Sequence, residues 1–248
     1  MRLDQYLKHH HYFESRHKAT LAIKEGAITV DGNVIKKPSF NVSDQSSVKV
    51  IKETNPYVSQ GGLKLEKALH TFNIDLTNLT ILDIGASTGG FSDCALKHHA
   101  KKIYALDVGT NQLHESLLHT ERIKVMENTN FLSTTLNDYN DIDFVICDVS
   151  FISGIKILTH LKKIGYLGEI IILIKPQFES MKTPKSGVIK DAKLHKKILT
   201  QYLKDVKALG FVISALSASP ILGQSGNKEF LLYLNNGECQ VDLDVIIK

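Results

Sequence analysis

A glycine-rich turn between two acids constrains this chain more than any other feature. Residues 81–91 read ILDIGASTGGF, in which an apolar run ends at Asp83 and is followed by the turn. The next apolar run ends at Asp107. Apolar, β-branched runs of this length are typical of strands buried in a parallel sheet, and glycines allow a ligand to approach the backbone. The pattern predicts an α/β domain with a nucleoside-binding pocket at its strand ends.

The glycine spacing separates two kinds of cofactor. A dinucleotide fingerprint reads GxGxxG, and here Ser87 stands where the second glycine would let a pyrophosphate approach. An acid such as Asp107 can hold the ribose hydroxyls of either cofactor. S-adenosylmethionine is therefore favoured over NAD. The predicted cofactor contacts are Asp83, Gly85, Ala86, Ser87, Gly89, Gly90, Phe91 and Asp107, with Asn130 as a weaker candidate near the adenine.

Length and charge indicate two domains. The chain has 248 residues, which exceeds the usual size of one domain, and its hydrophobic content of 43% can fill a sizeable core. Residues 1–60 contain nine Lys/Arg against six Asp/Glu, whereas the remainder carries 21 against 20. This N-terminal excess predicts an anionic partner, although a solvated charged face has the same composition.

Composition disfavours several other classes of protein. Cys94, Cys147 and Cys239 are isolated, so we predict neither a disulfide framework nor a zinc site, and no other cluster indicates a metal. The apolar run near residues 170–174 is too short to span a bilayer, and the opening MRLDQYL is too polar for a secretory signal. We expect a cytoplasmic protein that does not act at membranes, with no obligate protein partner evident.

The first 50 residues have the pattern of a small α/β domain. Helical patterns near Leu3 and after Ser15 precede short apolar runs, two of which flank the hairpin signal DG at 31–32. The motifs RLD, SR and IKEGAITVDG resemble those of the S4 RNA-binding domain, although Ile28 replaces a valine. A purely structural α/β cap is the alternative. Because backbone charge dominates recognition of folded RNA, the resemblance implies phosphate contacts by Arg2, Arg16, Lys18, Lys36 and Lys37.

The segment KETNPY at residues 52–57 has the composition of a linker. We expect an S4-like domain at 1–54, a linker at 55–58 and a second domain at 59–248. In the second domain, a GG turn and Lys64 are expected to precede a helix at 66–72. Strands are predicted at 79–84, 102–106, 123–126, 144–147, 170–174, 211–216 and 230–234, with helices between most of them and the last two strands antiparallel.

Four ionisable residues fall at the ends of these elements. Asp148 and Lys175 each follow an apolar run, Glu229 precedes one, and Lys64 stands at the entry to the domain. A single charge at a strand end is usually solvated, but opposite charges at neighbouring strand ends indicate a site. Since ligands of such sheets bind at the carboxyl ends of the strands, we expect the four side chains to converge.

The entire chain resembles the TlyA (haemolysin A-like) family of ribosomal RNA 2′-O-methyltransferases, whose catalytic domain is of the FtsJ/RrmJ type. The matching motifs are VSQGGLKL at 58–65, LDIGASTGGF at 82–91, CDVSFIS at 147–153, IKPQFE at 174–179 and GNKEF at 226–230. The resemblance implies a Rossmann-like class I methyltransferase with a mostly parallel seven-stranded sheet, S-adenosylmethionine as cofactor, and a catalytic tetrad of Lys64, Asp148, Lys175 and Glu229. Gln60 departs from the arginine usual in the family, which removes one charge-assisted contact if that arginine touches RNA phosphate.

The implied reaction is methylation of a cytidine 2′-hydroxyl in ribosomal RNA, with the large subunit favoured. Lys175 would accept the hydroxyl proton as a neutral amine, or would stabilise a developing alkoxide as a cation while Asp148 or water takes the proton. The sequence leaves both roles open. A non-enzymatic RNA-binding assembly factor would not need the tetrad, and a membrane-active haemolysin would need apolar or amphipathic segments that are not evident.

Overall fold

The described part of the chain divides into two units, Met1–Val58 and Ser59–Lys248. The structure is a computed structural model that describes residues 1–51, 55–139, 141–180, 187–223, 225–235, 237 and 243–247. The predicted domain end at residue 54 and Cys239 lie outside these residues. None of the described helices is long and apolar enough to cross a membrane.

The N-terminal unit packs two helices on a small antiparallel sheet. Its elements are α1 (Leu3–His9), α2 (Arg16–Lys24), β1 (Ile28–Val30), β2 (Asn33–Val34) and β3 (Val48–Val50), with β1 in the centre of the sheet. Ser15 caps α2 by accepting a hydrogen bond from the Lys18 amide at 3.2 Å. Asp31 and Gly32 both have positive φ, +50° and +82°, as a two-residue hairpin turn requires. Both predicted helices and the predicted hairpin are confirmed.

The second unit is built on a seven-stranded sheet. The strands are β4 (Thr80–Ile84), β5 (Lys102–Leu106), β6 (Ile123–Met126), β7 (Phe144–Cys147), β8 (Glu169–Ile174), β9 (Ile213–Ala218) and β10 (Phe230–Leu234). Their order is β6-β5-β4-β7-β8-β10-β9, with β10 antiparallel to β8 and β9 and the pairs among β4 to β8 parallel. The mostly parallel sheet and the antiparallel last pair are confirmed. The order reverses between β4 and β7, where such sheets bind ligands.

Helices cover both faces of this sheet. They are α3 (Gly61–Phe72), α4 (Gly90–Lys97), α5 (Glu115–Leu118), α6 (Gly154–Lys163), α7 (Pro176–Glu179), α8 (Ala192–Ala208) and α9 (Leu243–Ile246). Successive residues of a strand point to opposite faces. Leu82 therefore joins the core formed with α6 and α8, whereas Asp83 faces α4, where Ser92 donates a hydrogen bond to it.

Two predicted element boundaries are wrong. Helix α3 begins at Gly61 rather than at residue 66, because residues 61–65 belong to the helix and not to a turn. The helix packs closely on the start of α4, since a Cβ on Gly90 would lie 2.9 Å from the Gly62 nitrogen. Lys64 is therefore inside the first turns of a helix. Strand β9 begins at Ile213 rather than at residue 211, because the Phe211 amide instead bonds the Val206 carbonyl and closes the end of α8.

Candidate active site

The topology of the sheet brings together the four ionisable residues at strand and domain ends. Asp148 and Lys175 follow the parallel strands β7 and β8, so both lie at the carboxyl edge of the sheet. Glu229 precedes β10, and because β10 is antiparallel to β8, Phe230 pairs with Ile174 at the same edge. Lys64 reaches this edge from α3. We name these four residues the charge cluster.

The charge cluster alternates amines and carboxylates. The Lys64 Nζ lies 2.7 Å from Glu229 Oε2 and 3.4 Å from Asp148 Oδ2. The Lys175 Nζ lies 2.5 Å from Asp148 Oδ1 and donates a hydrogen bond of 2.8 Å to Ser150 Oγ. Asp148 therefore stands between the two amines. The structure confirms the expected convergence.

The electrostatics of the cluster favour a charged Lys64. Burial by itself lowers the pKa of Lys64, but Asp148 and Glu229 outweigh it, so the pKa of Lys64 is raised above its ordinary value. Lys64 is 8% exposed, and a buried cation of this kind persists only when it is paired. The two carboxylates therefore have a larger effect than burial on the pKa of Lys64.

Two residues around the cluster were not among the predicted site residues. Ser150 lies in the motif CDVSFIS, but only its spatial neighbour Lys175 reveals a role for its hydroxyl. Gly223 makes room for the carboxylate of Glu229, since a Cβ at this position would lie 2.2 Å from Glu229 Oε1. Gly223 is close to Glu229 in the chain, but none of the sequence motifs includes it.

The glycine-rich turn is held by Asp107. One carboxylate oxygen accepts a hydrogen bond from the Ser87 amide, and the other accepts one from the Gly109 amide, both at 2.8 Å. Gly85 and Gly89 have φ of +84° and +89°, a conformation that favours glycine. Asp107 thus ties the turn after β4 to the end of β5, and its remaining lone pairs are available to ribose hydroxyls.

The glycines of the turn serve close packing within the protein. A Cβ on Gly89 would lie 2.4 Å from Leu117 Cδ1, and one on Gly90 would lie 2.2 Å from Ser59 Oγ. The space beside these glycines is thus occupied by side chains. The Phe91 ring is also buried, next to Gly61. A cofactor would therefore meet this turn through backbone groups.

Asp83 has the properties expected of a group that pairs with a cationic ligand. It is fully buried, and Ser92 Oγ donates to its Oδ2 at 2.6 Å. Within the described residues, its Oδ1 has no hydrogen-bond partner. Burial raises its pKa to about 7, against the opposing hydrogen bond from Ser92 and with a further contribution from Asp148. The methionine ammonium of S-adenosylmethionine fits the chemistry of this unpartnered carboxylate oxygen.

Ala86 and Asn130 complete the set of predicted cofactor residues. Ala86 is buried in the turn, where its amide bonds the Leu106 carbonyl at 3.0 Å. The Asn130 side-chain oxygen accepts a hydrogen bond of 3.0 Å from the Leu132 amide and so caps a 3-10 helix, as an ordinary turn asparagine does.

The glycine-rich turn and the charge cluster adjoin each other. The Asp148 amide donates to the Ile84 carbonyl at 3.1 Å, and a Cβ on Gly85 would lie 2.9 Å from the Asp148 carbonyl oxygen. A ligand held by the turn would therefore lie beside the charge cluster. The two halves of the site meet where the strand order reverses.

An exposed aromatic ring stands in the segment after β7. Phe151 is 91% exposed and has φ of +66°, an uncommon conformation for a bulky residue. Its ring centre lies 5.3 Å from that of Phe178. Phe151 was not predicted as a site residue, because a phenylalanine next to apolar runs is expected to be buried.

The predicted RNA contacts lie in the N-terminal unit. Arg2 and Arg16 both donate to the buried carboxylate of Asp4, at 2.9 Å and 2.7 Å, and their side chains remain 43% and 50% exposed. The hydrogen bond from Arg2 lowers the pKa of Asp4, against burial, and Arg16 adds to the effect. Lys18 pairs with Glu14 at 2.5 Å. Lys36 and Lys37 are exposed.

Comparison with known proteins identifies the family. The profile of the S4 domain matches residues 1–48, and that of FtsJ-like methyltransferases matches residues 57–236. A protein of Campylobacter jejuni named 23S rRNA (cytidine-2'-O)-methyltransferase TlyA is 37% identical over 88% of this chain and 93% of its own length. The chain belongs to the TlyA family of FtsJ-like methyltransferases. The predicted family and enzyme class are confirmed.

Other members of the family carry a different name. Hemolysin A of Brachyspira hyodysenteriae is 41% identical over 94% of this chain and 99% of its own length. A solved structure from Streptococcus thermophilus, provisionally described as a hemolysin, is 36% identical and superposes with a TM-score of 0.76 over 100% of this chain and 94% of its own. As a member of this methyltransferase family, the chain uses S-adenosylmethionine as predicted.

The buried state of Asp83 predicts a specific pH dependence of stability. Its folded pKa, about 7, is above its ordinary 3.8, so its contribution to stability is fully present at low pH and is lost as pH rises through about 7. At about 1.36 kcal/mol per pH unit, the loss is on the order of 4 kcal/mol. We expect Asp83→Asn to gain stability relative to the wild type as pH rises from 4 to 8, measured by urea unfolding without cofactor. A free energy of unfolding of Asp83→Asn minus that of the wild type that stays constant or falls from pH 4 to 8 would contradict this assignment.

Proposed function

We propose that this protein transfers the methyl group of S-adenosylmethionine to the 2′-hydroxyl of a cytidine in ribosomal RNA, with the large subunit favoured. The observation that carries the proposal is the contact between the glycine-rich turn and the charge cluster at Gly85 and Asp148. The name of the Campylobacter jejuni relative supports the ribose position, the base and the subunit. A ribosomal RNA substrate also implies that the protein acts in the cytoplasm.

The two units would divide this task. We assign RNA binding to residues 1–54, a linking role to residues 55–58, and methyl transfer to residues 59–248. Arg2 and Arg16 support the first assignment, because each keeps about half of its side chain exposed while Asp4 holds its guanidinium in place. Lys18, Lys36 and Lys37 add charge around them. No partner protein is needed for this division.

The cofactor supplies an electrophilic methyl group on a positively charged sulfur. Asp83 would pair with its ammonium, Asp107 would accept hydrogen bonds from its ribose hydroxyls, and Asn130 would lie near its adenine. The backbone of residues 85–91 would line the methionine side. Asp83 lies in β4 and Asp107 directly follows β5, so these proposed contacts involve no member of the charge cluster.

The charge cluster would position and deprotonate the ribose hydroxyl. As the 2′-oxygen forms a bond to the methyl carbon, the carbon–sulfur bond breaks and the hydroxyl proton must leave. Lys64, held cationic by its two carboxylate neighbours, fixes Asp148 and Glu229. Lys175 would then accept the proton as an amine, or stabilise the developing alkoxide as a cation while Asp148 or water accepts it.

Phe151 would stack on a base of the bound RNA. Single-stranded RNA bases splayed out of a helix are bound by stacking on aromatic rings. The ring of Phe151 is exposed, and it follows Ser150, which bonds the amine of Lys175. A stacked base would therefore bring its own ribose towards the cluster.

The two alternatives explain less of the structure. An RNA-binding assembly factor would not need two buried lysines and a buried glutamate at the strand ends, whose desolvation is costly. A haemolytic activity would draw only on the names of relatives, such as those from Brachyspira hyodysenteriae and Streptococcus thermophilus. Gln60 is exposed at the start of α3. Because arginine is usual at this position in the family, this chain has one positive charge fewer near Lys64.

We predict that Lys175→Ala abolishes methyl transfer and leaves cofactor binding nearly unchanged. The amine contacts Asp148 and Ser150, not the glycine-rich turn. Cofactor affinity is measured by isothermal titration. Methyl transfer is measured with labelled cofactor on separate large and small ribosomal subunits, and the 2′-O-methyl positions are then mapped. Lys204→Ala, an exposed lysine on α8, is the matched control. Turnover retained by Lys175→Ala would remove Lys175 from the mechanism, and a wild type that binds cofactor but modifies neither subunit would refute the substrate.

The N-terminal assignment predicts the salt dependence of RNA binding. If Arg16 contacts a phosphate, Arg16→Ala should reduce the slope of log affinity against log salt by about 0.7–0.9, and Lys36→Ala should do the same. Lys204→Ala should leave the slope unchanged. Binding to ribosomal RNA is measured between about 50 and 200 mM salt. An unchanged slope for Arg16→Ala, in a protein that remains folded, would show that this arginine serves only its ion pair with Asp4.

A further inference from the structure

Two short segments carry two members of the charge cluster, together with Ser150 and Phe151. Residues 148–153 follow β7 and contain Asp148, Ser150 and Phe151, and residues 175–179 follow β8 and contain Lys175. The register of β7 and β8 ends at the pair Cys147 and Ile172. Beyond this point, the ladder between the two strands no longer links the two segments directly.

Glu179 joins the two segments. Its Oε1 accepts a hydrogen bond from the Gly154 amide at 2.6 Å, and its Oε2 accepts one from Ser153 Oγ at 2.5 Å. Ser153 Oγ in turn accepts from the Ile155 amide at 3.2 Å and so caps α6. We name these three hydrogen bonds the Glu179 clasp. The positive end of the ten-residue helix α6 adds an electrostatic attraction for the carboxylate.

The surroundings of the clasp leave little room for rearrangement. A Cβ on Gly154 would lie 2.4 Å from the Tyr202 hydroxyl and 3.0 Å from Ile172 Cδ1, so the backbone at Gly154 is packed against α8 and β8. Burial raises the pKa of Glu179, against the opposing hydrogen bonds from Ser153 and Gly154. A carboxylate kept in a dry site by hydrogen bonds from one segment is a strong geometric restraint on that segment.

We propose that Glu179 is a positioning residue for methyl transfer, which holds residues 148–153 against the segment of Lys175. Glu179 touches none of the four cluster residues in the contacts described, so it acts through the backbone. At the other end of the same segments, Lys175 lies 2.5 Å from Asp148 and 2.8 Å from Ser150. The clasp adds a further link between the two segments, besides the contacts of Lys175 and the ring contact of Phe151 with Phe178. The inference rests on the proposed function.

Loss of the Glu179 clasp should therefore lower the rate of methyl transfer and leave the affinity for the cofactor unchanged. A misplacement of about 1 Å in a catalytic group can cost about 100-fold in rate. The cofactor turn contacts Asp148 through backbone at Ile84 and Gly85, which belong to a different strand from the clasp. A purely structural role of Glu179 would instead lower stability without changing the turnover of the folded protein.

The test compares Glu179→Ala with Glu179→Gln in the full-length protein. The carboxamide of glutamine can accept from the Gly154 amide and donate to Ser153 Oγ, so it retains the clasp without the charge. We expect Glu179→Ala to lower kcat by about 10- to 100-fold with cofactor affinity within about threefold of wild type, and Glu179→Gln to stay within about threefold in both. Hydrogen exchange of the amides of residues 150–155 should accelerate in Glu179→Ala alone.

Asp143→Ala is the matched control. Asp143 also accepts a hydrogen bond from a backbone amide, that of Thr80 at 2.7 Å, but at the opposite edge of the sheet. It should lose stability and keep kcat. If Glu179→Ala does not fold, Glu179→Asp replaces it, because the shorter side chain cannot reach both donors and should also lower kcat.

Two results would overturn the role of Glu179. One is a kcat for Glu179→Ala within twofold of wild type, and the other is an equal loss in Glu179→Ala and Glu179→Gln, which would assign the effect to charge. A wild type that methylates no ribosomal RNA would instead refute the proposed function. The exchange measurement stays informative in that case, because faster exchange at residues 150–155 tests the clasp without any turnover.

Discussion

The ion pairs of the charge cluster are the interaction on which the site depends. Lys64, Lys175 and Glu229 are each less than 10% exposed, and none could stay charged there alone. Asp148 stands between both amines, so the cluster is neutral as a set of four. Because its members come from a helix and from the ends of three strands, pairing is complete only when the sheet order and the antiparallel direction of β10 are correct.

Much of this arrangement can be predicted from the sequence, because local residue patterns mark the ends of strands. The apolar runs before Asp148 and Lys175 and after Glu229 predict where each charge leaves the sheet, and parallel pairing then predicts a shared edge. Helix capping by Ser15 and the Asp31-Gly32 hairpin are equally local. The family resemblance adds the roles of these residues, which no spacing rule supplies.

The features that sequence reasoning missed are set by tertiary contacts. Helix α3 includes Gly61 and packs closely on Gly90, whereas a glycine pair read in isolation predicts a turn. Tertiary contacts also explain the glycines of the cofactor turn, since Leu117 and Ser59 occupy the space beside them. Glu179 likewise acquires its function only from Ser153 and Gly154, which are distant in the chain.

The two halves of the site are also linked by charge. Asp148 contributes to the raised pKa of Asp83, although the larger cause is burial. A cationic ligand that pairs with Asp83 would reverse that effect and favour its ionised form. Since the ionised carboxylate and its cationic partner form a neutral pair, occupation of the turn would leave the net charge beside Asp148 unchanged. The buried carboxylate would therefore take up a cation without disturbing the ion pairs that hold Lys64 and Lys175 in place.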